Sequence, residues 1–497
     1  MKKTVITILT ILTVYALLTA CGTKKAAEAP DTAPSVTETA ADRITEAVTA
    51  APAETSAAED AAKETAEETP ETENAPETVK VTAPVEEIKI NTDAAIEETV
   101  LYDEEGLKII AKELTFSDYD MEIKLRIENS SEKALSVTSN TLGYSCNAVN
   151  GKMIEDGYIH AQLAPGKNSI ETADFGLQEL MISGITEIAE IELGFTISDE
   201  DYNYTYTGPL MLHTNLSEEH DPAADSYRKA INSGFFQEKY GYRVKSFIEE
   251  DLPSGDYVTV LSEAVINNKD GASSLFLELL NTSDEAVDAA ISGIALNGLK
   301  VTFGNWDSVT ILGGHTATLS VKLENVLEKE FAEVLGIREY TLFNADICVE
   351  KADDSLEELE EFPIEIRISD ADASYDTSGD VVYDAEGIRV ISKGFHEDPS
   401  GYSRTIHLLF IVENHRDNAI YFTHKYDSFS INDLMTDAIL YSETVDPGES
   451  ALMDLEVWES NFEDADIKGI DDIETAQFTA EIRDENYRLI ESCELNF

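Results

Sequence analysis

The groups able to act as nucleophiles, metal ligands or acid–base pairs are four cysteines, eight histidines and 99 acidic side chains. Their spacing supports none of these chemistries locally. Cys146, Cys348 and Cys493 lie far apart and no Cys-x-x-Cys pair occurs, so a thiolate metal site has no local support. Each sits in a strand-like context and reads as a small buried hydrophobe, with a Cys348–Cys493 bridge as the sharper alternative. His160, His213, His220, His315, His396, His407, His415 and His424 form no His-x-x-x-His or His-x-His pair, and surface or turn positions are their default. No Gly-x-Ser-x-Gly elbow, phosphate loop or dinucleotide fingerprint occurs. Carboxylates are too abundant to single out a catalytic pair, and a solvated acidic surface explains them. The expectation is a chain without enzymatic activity, cofactor or metal.

Two patterns could still bind. Asp370-Ala371-Asp372-Ala373-Ser374-Tyr375-Asp376 offers oxygen ligands at Asp370, Asp372, Ser374 and Asp376, as a calcium loop does. Tyr375 and Val381 stand where such a loop needs Gly and Glu, so an acidic linker is the default and a cation site the alternative. Tyr202, Tyr204 and Tyr206 alternate, which puts three rings on one strand face. Exposed, they would stack on sugar rings or dock a protein partner; buried, they are core, which is the default. Asp484-Glu485-Asn486-Tyr487 matches the first of them and is followed by Leu489 and Glu491. Tyr202 therefore reads as structural, and Tyr204 and Tyr206 as the binding candidates. Trp306, in Gly304-Asn305-Trp306-Asp307, is a weaker loop candidate.

The elements that must hold these residues come in three copies. Val100 to Ile109 matches Val381 to Val390 at an offset of 281, including Tyr102-Asp103 and Tyr383-Asp384. Apolar strands end at Asn129, Asn281 and Asn414, each followed by a polar turn and a second short strand. Tight turns follow at Asn150-Gly151, Asn297-Gly298 and Asn432-Asp433, where positive φ is needed. Pro165-Gly166, Gly313-Gly314 and Pro447-Gly448 come next, then Gly184-Ile185, Gly336-Ile337 and Gly469-Ile470. The middle copy lacks the Val-Tyr-Asp opening. Between the landmarks apolar and polar residues alternate, as in Met121 to Ile127, which predicts antiparallel sheet with one wet face. The fold expected is all-β, three tandem β-sandwich modules spanning 99–215, 216–370 and 371–497. Helices are expected only at Tyr227–Phe236, as a linker, and at Asn325–Leu335, as a short crossover helix or turn.

The first hundred residues carry an address. Lys2 and Lys3 precede an apolar run from Val5 to Leu18, and Leu18-Thr19-Ala20-Cys21 closes it. This resembles the lipobox of bacterial lipoproteins. The resemblance implies removal of residues 1–20 and multiple acylation of the Cys21 thiol, which becomes the mature N-terminus. Residues 21–98 are rich in Ala, Glu, Thr and Pro, with no aromatic between Tyr15 and Tyr102. Such a stretch cannot bury enough apolar surface to offset its ordering entropy and is expected to be a disordered stalk. The charge, 35 − 99 = −64, argues against nucleic acid and against electrostatic binding to anionic lipid.

The Val-Tyr-Asp-x-x-Gly opening, the strands ending in Glu-Asn and the Pro-Gly turns are similar to the repeated immunoglobulin-like modules of lipoproteins in gut-type Gram-positive bacteria. Those families have no assigned function, so the resemblance implies a surface lipoprotein and carries over no catalytic residues. The expected partners are the membrane, through the lipid, and a protein or glycan at the extracellular face. The expected role is non-catalytic, in binding or structure, with a solute- or glycan-binding accessory protein of a transporter or extracellular enzyme as the alternative.

Overall fold

The computed structural model describes residues 89–497 except 140–145, 223–224, 233–240, 269–271, 302–307, 354, 356, 398–404 and 463–466. The chain divides into two units, Met1–Ala75 and Pro76–Phe497, and every described residue lies in the second. Cys21, most of the expected stalk and Trp306 fall outside the described residues.

Period-two alternation produces the sheets it predicts. In Asp120–Asn129, Met121, Ile123, Leu125 and Ile127 are fully buried while the residues between them face outward. Each module is a sandwich of two sheets. In module 1 the front sheet orders Thr99–Glu104, Leu107–Phe116, Asp120–Asn129 and Asn168–Gly176. Its back sheet centres on Glu190–Asp199, flanked on one edge by Tyr204–His213 and on the other by Leu135–Ser139 and Asn147–Val149. The front sheets of modules 2 and 3 repeat this with Val258–Asn267, Ser273–Asn281 and Thr316–Lys322, and with Ile388–Glu397, Thr405–Asn414 and Ser450–Trp458. Their back sheets centre on Val287–Leu296 with Leu342–Lys351, and on Ala476–Arg483.

The repeat extends to individual hydrogen bonds. Asn129, Asn281 and Asn414 are buried at the ends of equivalent strands. Each Nδ2 donates to two carbonyls: Lys133 and Leu163, Glu285 and Ile311, Asn418 and Val445. Each Oδ1 accepts the amide two residues on, from Ser131, Ser283 and Arg416. The turn residues Asn150, Asn297 and Asn432 behave alike. They take left-handed φ of 52°, 54° and 49°, and each Oδ1 accepts amides from the segment after the Gly-Ile landmark. One Asn clamps the two sheets of its module and the other fixes the hairpin tip.

The modules are not strung as separate beads. The hairpin strand Lys152–Ile154 of module 1 pairs in parallel with Thr316–Lys322 of module 2, Lys152 opposite Thr316. Leu299–Val301 of module 2 pairs in parallel with Ser450–Trp458 of module 3, Lys300 opposite Ala451 and Val301 opposite Leu452. Aligned on Asn150-Gly151 and Asn297-Gly298, and on Gly314 and Gly448, the two junctions have the same register. Each back sheet thereby runs into the next front sheet as one ten-stranded sheet. The core of module 2 also takes in Ala148 and Met153 from module 1, and Ile391, Leu409, Ile411 and Leu452 from module 3.

Several expectations need correction. The stalk ends earlier than residue 98, because Ile90 and Ala94 are buried in the core of module 1 and Asn91 donates its amide to Thr186. The linker helix is one turn, Tyr227–Ile231, and the crossover of module 2 is two short helices, Leu323–Val326 and Lys329–Val334. Modules 1 and 3 carry equivalent helical turns, Leu177–Ile182 and Glu459–Phe462, too short to show periodicity. In module 2 the first strand, Arg243–Ile248, pairs with the far half of Val258–Asn267, where modules 1 and 3 use a tight hairpin on the near half. That accounts for the missing Tyr-Asp-x-x-Gly opening.

Candidate functional site

Tyr204 and Tyr206 begin the edge strand Tyr204–His213 and are 57% and 43% exposed, so they are not core. Tyr202 does not share their face. It has a left-handed φ of 61° in a turn organised by Asp199, whose carboxylate accepts the amides of Asp201 and Asn203. The Lys133 ammonium, 2.5 Å away, and the Asn203 side chain hold that carboxyl well below the usual range. Tyr487 takes the same conformation, φ 59°, in a turn where Asp484 accepts the amides of Asn486 and Arg488. The first tyrosine of the row is thus a turn residue in both modules.

The pairing register sets what lies beside the other two. Tyr204 faces Ser198, Ser198 faces Ser136 and Ser136 faces Gln162. One step along, Tyr206 faces Thr196, Thr196 faces Thr138 and Thr138 faces His160. Two parallel rungs result, each with a ring at one end, two hydroxyls in the middle and Gln or His at the other. At about 4.8 Å between strands a rung is roughly 14 Å long. Gln162 and His160 touch through their nitrogens at 3.3 Å. The reverse side of the same strands, Val137, Ala161, Leu163, Phe195 and Ile197, is core. The result is an open, polar sheet face with aromatic rings on one border, a surface that can stack and hydrogen-bond a polyhydroxylated ligand. Period-two alternation pointed to the rings; His160, Gln162 and the four hydroxyl residues were missed, because only the strand register brings them alongside.

The calcium-loop pattern does not converge. Asp370, Asp372, Ser374 and Asp376 are exposed, and Asp376 is engaged by the Ser378 hydroxyl and amide and by Lys393. The Ser378 hydroxyl, its amide and Lys393 lower the Asp376 pKa. Among the described residues one His/Asp/Glu group gathers tightly: His407, Asp454 and Glu456, with ligand atoms within 4.8 Å of one another. His407 lies opposite Glu456 on adjacent strands, and its Nδ1 is 2.8 Å from Asp454 Oδ2. Phe331 of module 2 packs against the His407 ring at 5.1 Å. Burial pushes the Asp454 carboxyl up against the opposing pull of His407 and His396. The pair is a buried element of the module 2–3 junction.

Histidines are therefore not confined to surface turns. His407 is buried, and His315 joins the module 1–2 junction with Nε2 2.7 Å from Glu192. Burial disfavours charge on His315, yet Glu192 and the Gly313 carbonyl outweigh it and raise its pKa. Cys146, Cys348 and Cys493 are half-buried and form no disulfide with one another, and burial pushes Cys146 and Cys493 up to about 11. No thiolate is available there at neutral pH. An open cleft of about 670 Å³ lies at the module 2–3 junction, lined by Glu263, Asp346, Glu365, Asp446 and Glu449 around Lys300.

No family model matches the chain, and no curated protein matches it. Solved structures that resemble it include a domain of a 1.5-MDa bacterial ice-binding adhesin, 8% identical over 76% of this chain and 89% of that one, with a TM-score of 0.12. A protein of unknown function from Porphyromonas gingivalis is 11% identical over 45% of this chain and 90% of its own, with a TM-score of 0.14. The Amycolatopsis orientalis exo-chitosanase is 9% identical over 80% and 79%, with a TM-score of 0.15. Likenesses of this size concern β-rich architecture and say nothing about activity.

Proposed function

We propose that the chain is a non-catalytic cell-surface lipoprotein, anchored through a lipid on Cys21, that presents three docked β-sandwich modules for binding at the extracellular face. The lipobox-like Leu18-Thr19-Ala20-Cys21 and the Ala/Glu/Thr/Pro stalk support the anchor and the spacing from the membrane. The observation that carries binding is the two-rung platform of module 1, with Tyr204 and Tyr206 solvent-exposed at its border. Its hydroxyl, amide and imidazole groups suit a glycan, which favours the reading of a glycan-binding accessory protein over that of a solute-binding one. An open sheet face suits an extended chain, whereas a small solute needs an enclosing pocket.

One experiment with two arms tests this on cells expressing the full chain. Cys21→Ser is expected to abolish labelling with a palmitate analogue and to move the protein from the detergent phase to the aqueous phase. Tyr204→Ala/Tyr206→Ala is expected to leave labelling and melting temperature unchanged and to weaken retention on immobilised wall glycan at least about tenfold, in line with ring-stacking losses of more than 1 kcal/mol. Unchanged labelling in the first arm removes the anchor, and unchanged retention in the second removes the platform.

A further inference from the structure

Two junctions use one device: the Asn-turn hairpin of a module adds in parallel to the edge strand of the next. Module 3 has the same hairpin, Ser430–Ile431 and Leu434–Met435 around Asn432-Asp433, with the same Asn side-chain clamp. Among the described residues, Leu434–Met435 pairs only with Ser430–Ile431 and ends its sheet. Leu434 and Met435, which align with Lys152-Met153 and Leu299-Lys300, are 42% and 59% exposed. On the same module Ile439, Tyr441 and Trp458 are also exposed around Glu456, which accepts from Tyr441 and Trp458. Thr436 Oγ1 donates to the Asn461 carbonyl, which links the hairpin to the helical turn Glu459–Phe462.

The opposite end of the array is finished differently. Counted back from Asn129 and Asn414, Lys124 and Arg126 occupy the positions of Leu409 and Ile411, which module 3 buries against module 2. Lys124 pairs with Glu113 and Arg126 with Glu128, and Lys108 and Lys112 pair with Asp103 and Glu98. A polar outer face is what closes a repeat array. Docking Leu434–Met435 of a second copy there would strip water from these ion pairs, and copies carrying a net charge of −64 repel one another.

We infer that the distal hairpin of module 3 is a docking site for the exposed edge strand of a β-sandwich domain in a second protein, added in parallel in the register of the two internal junctions. The partner's sheet face is apolar, matching Leu434 and Met435. Its rim is basic, matching Asp433, Asp437, Asp471, Asp472 and Glu474 around the tip.

The full chain can supply its own surrogate partner. Lys124→Leu/Arg126→Ile gives module 1 the face that module 3 presents to module 2. Sedimentation velocity is expected to show wild type monomeric at micromolar concentration, and this variant assembling head to tail in a concentration-dependent series. Adding Met435→Glu should raise the concentration for half-association at least about tenfold. Circular dichroism and melting of each variant establish that it is folded. A folded Lys124→Leu/Arg126→Ile variant that stays monomeric overturns the inference, as does association indifferent to Met435→Glu. Self-association of wild type that Met435→Glu removes would make the occupant a second copy and overturn it too.

Discussion

Asn414→Ala is expected to lower the stability of module 3 by about 3 kcal/mol, read as a shift of the urea midpoint at constant slope. The side chain is fully buried and bridges the two sheets: Nδ2 donates to the Asn418 carbonyl at 3.0 Å and to the Val445 carbonyl at 2.8 Å. Its Oδ1 accepts the Arg416 amide at 3.0 Å. Truncation leaves two carbonyls and one amide without their partner, and Ala fills little of the volume. Leaving a buried polar group unsatisfied costs roughly 1–3 kcal/mol each, partly recovered where water can enter. Asn129→Ala and Asn281→Ala should behave alike, because the bonds are the same in modules 1 and 2. A loss below about 0.5 kcal/mol at all three sites would mean that these bonds do not hold the sandwiches together.

The second large effect is a pH dependence carried by Glu263. Burial in the cleft at the module 2–3 junction pushes its carboxyl up from an ordinary 4.5 to about 7. The folded chain therefore holds this proton between about pH 4.5 and 7 while the unfolded chain releases it. Stability falls as pH rises through that window, because the unfolded state binds fewer protons than the folded one. Above pH 7 the carboxylate is charged in both states but buried only in the folded one, and the cost is complete, roughly 3 kcal/mol. Glu263→Gln keeps the shape and removes the proton, so it is expected to raise stability by about 2–3 kcal/mol at pH 8 and to change it little at pH 4. Parallel stability–pH curves for the two proteins would show that Glu263 is solvated.

These two residues differ in how far the sequence revealed them. Asn129, Asn281 and Asn414 stand out because each ends an apolar run before a polar turn, and a triplicated landmark is visible without coordinates. The same holds for the turn residues Asn150, Asn297 and Asn432, whose left-handed backbone follows from residue type. Glu263 is one carboxylate among many, and its burial depends on the strands paired on either side of it and on a cleft wall distant in sequence. The junctions are invisible for a related reason. Parallel addition of three-residue strands rests on pairs 150 residues apart or so, such as Lys152 with Thr316 and Lys300 with Ala451, and leaves no local periodicity. His407, Asp454 and Glu456 meet across two strands, so no short motif contains them. Period two puts Tyr202 on the face of Tyr204 only within a strand, and the strand starts at Tyr204, after the turn that holds Tyr202. For Tyr204 and Tyr206, candidates for binding, the sequence still favours core, since aromatic side chains on strands usually face inward and edge position is not written in the sequence.

The claim on which the rest depends is that each module's hairpin continues the front sheet of the next. Paired cysteines test it most directly: Lys152→Cys/Thr316→Cys at the first junction and Lys300→Cys/Ala451→Cys at the second. Strand-paired positions lie within the span that a disulfide bridges. Under mild oxidation both double variants are predicted to close intramolecular bonds in the monomer, identified as linked peptides by mass spectrometry. Failure of both pairs to close in folded, monomeric protein would contradict the account and return the modules to independent beads on a string.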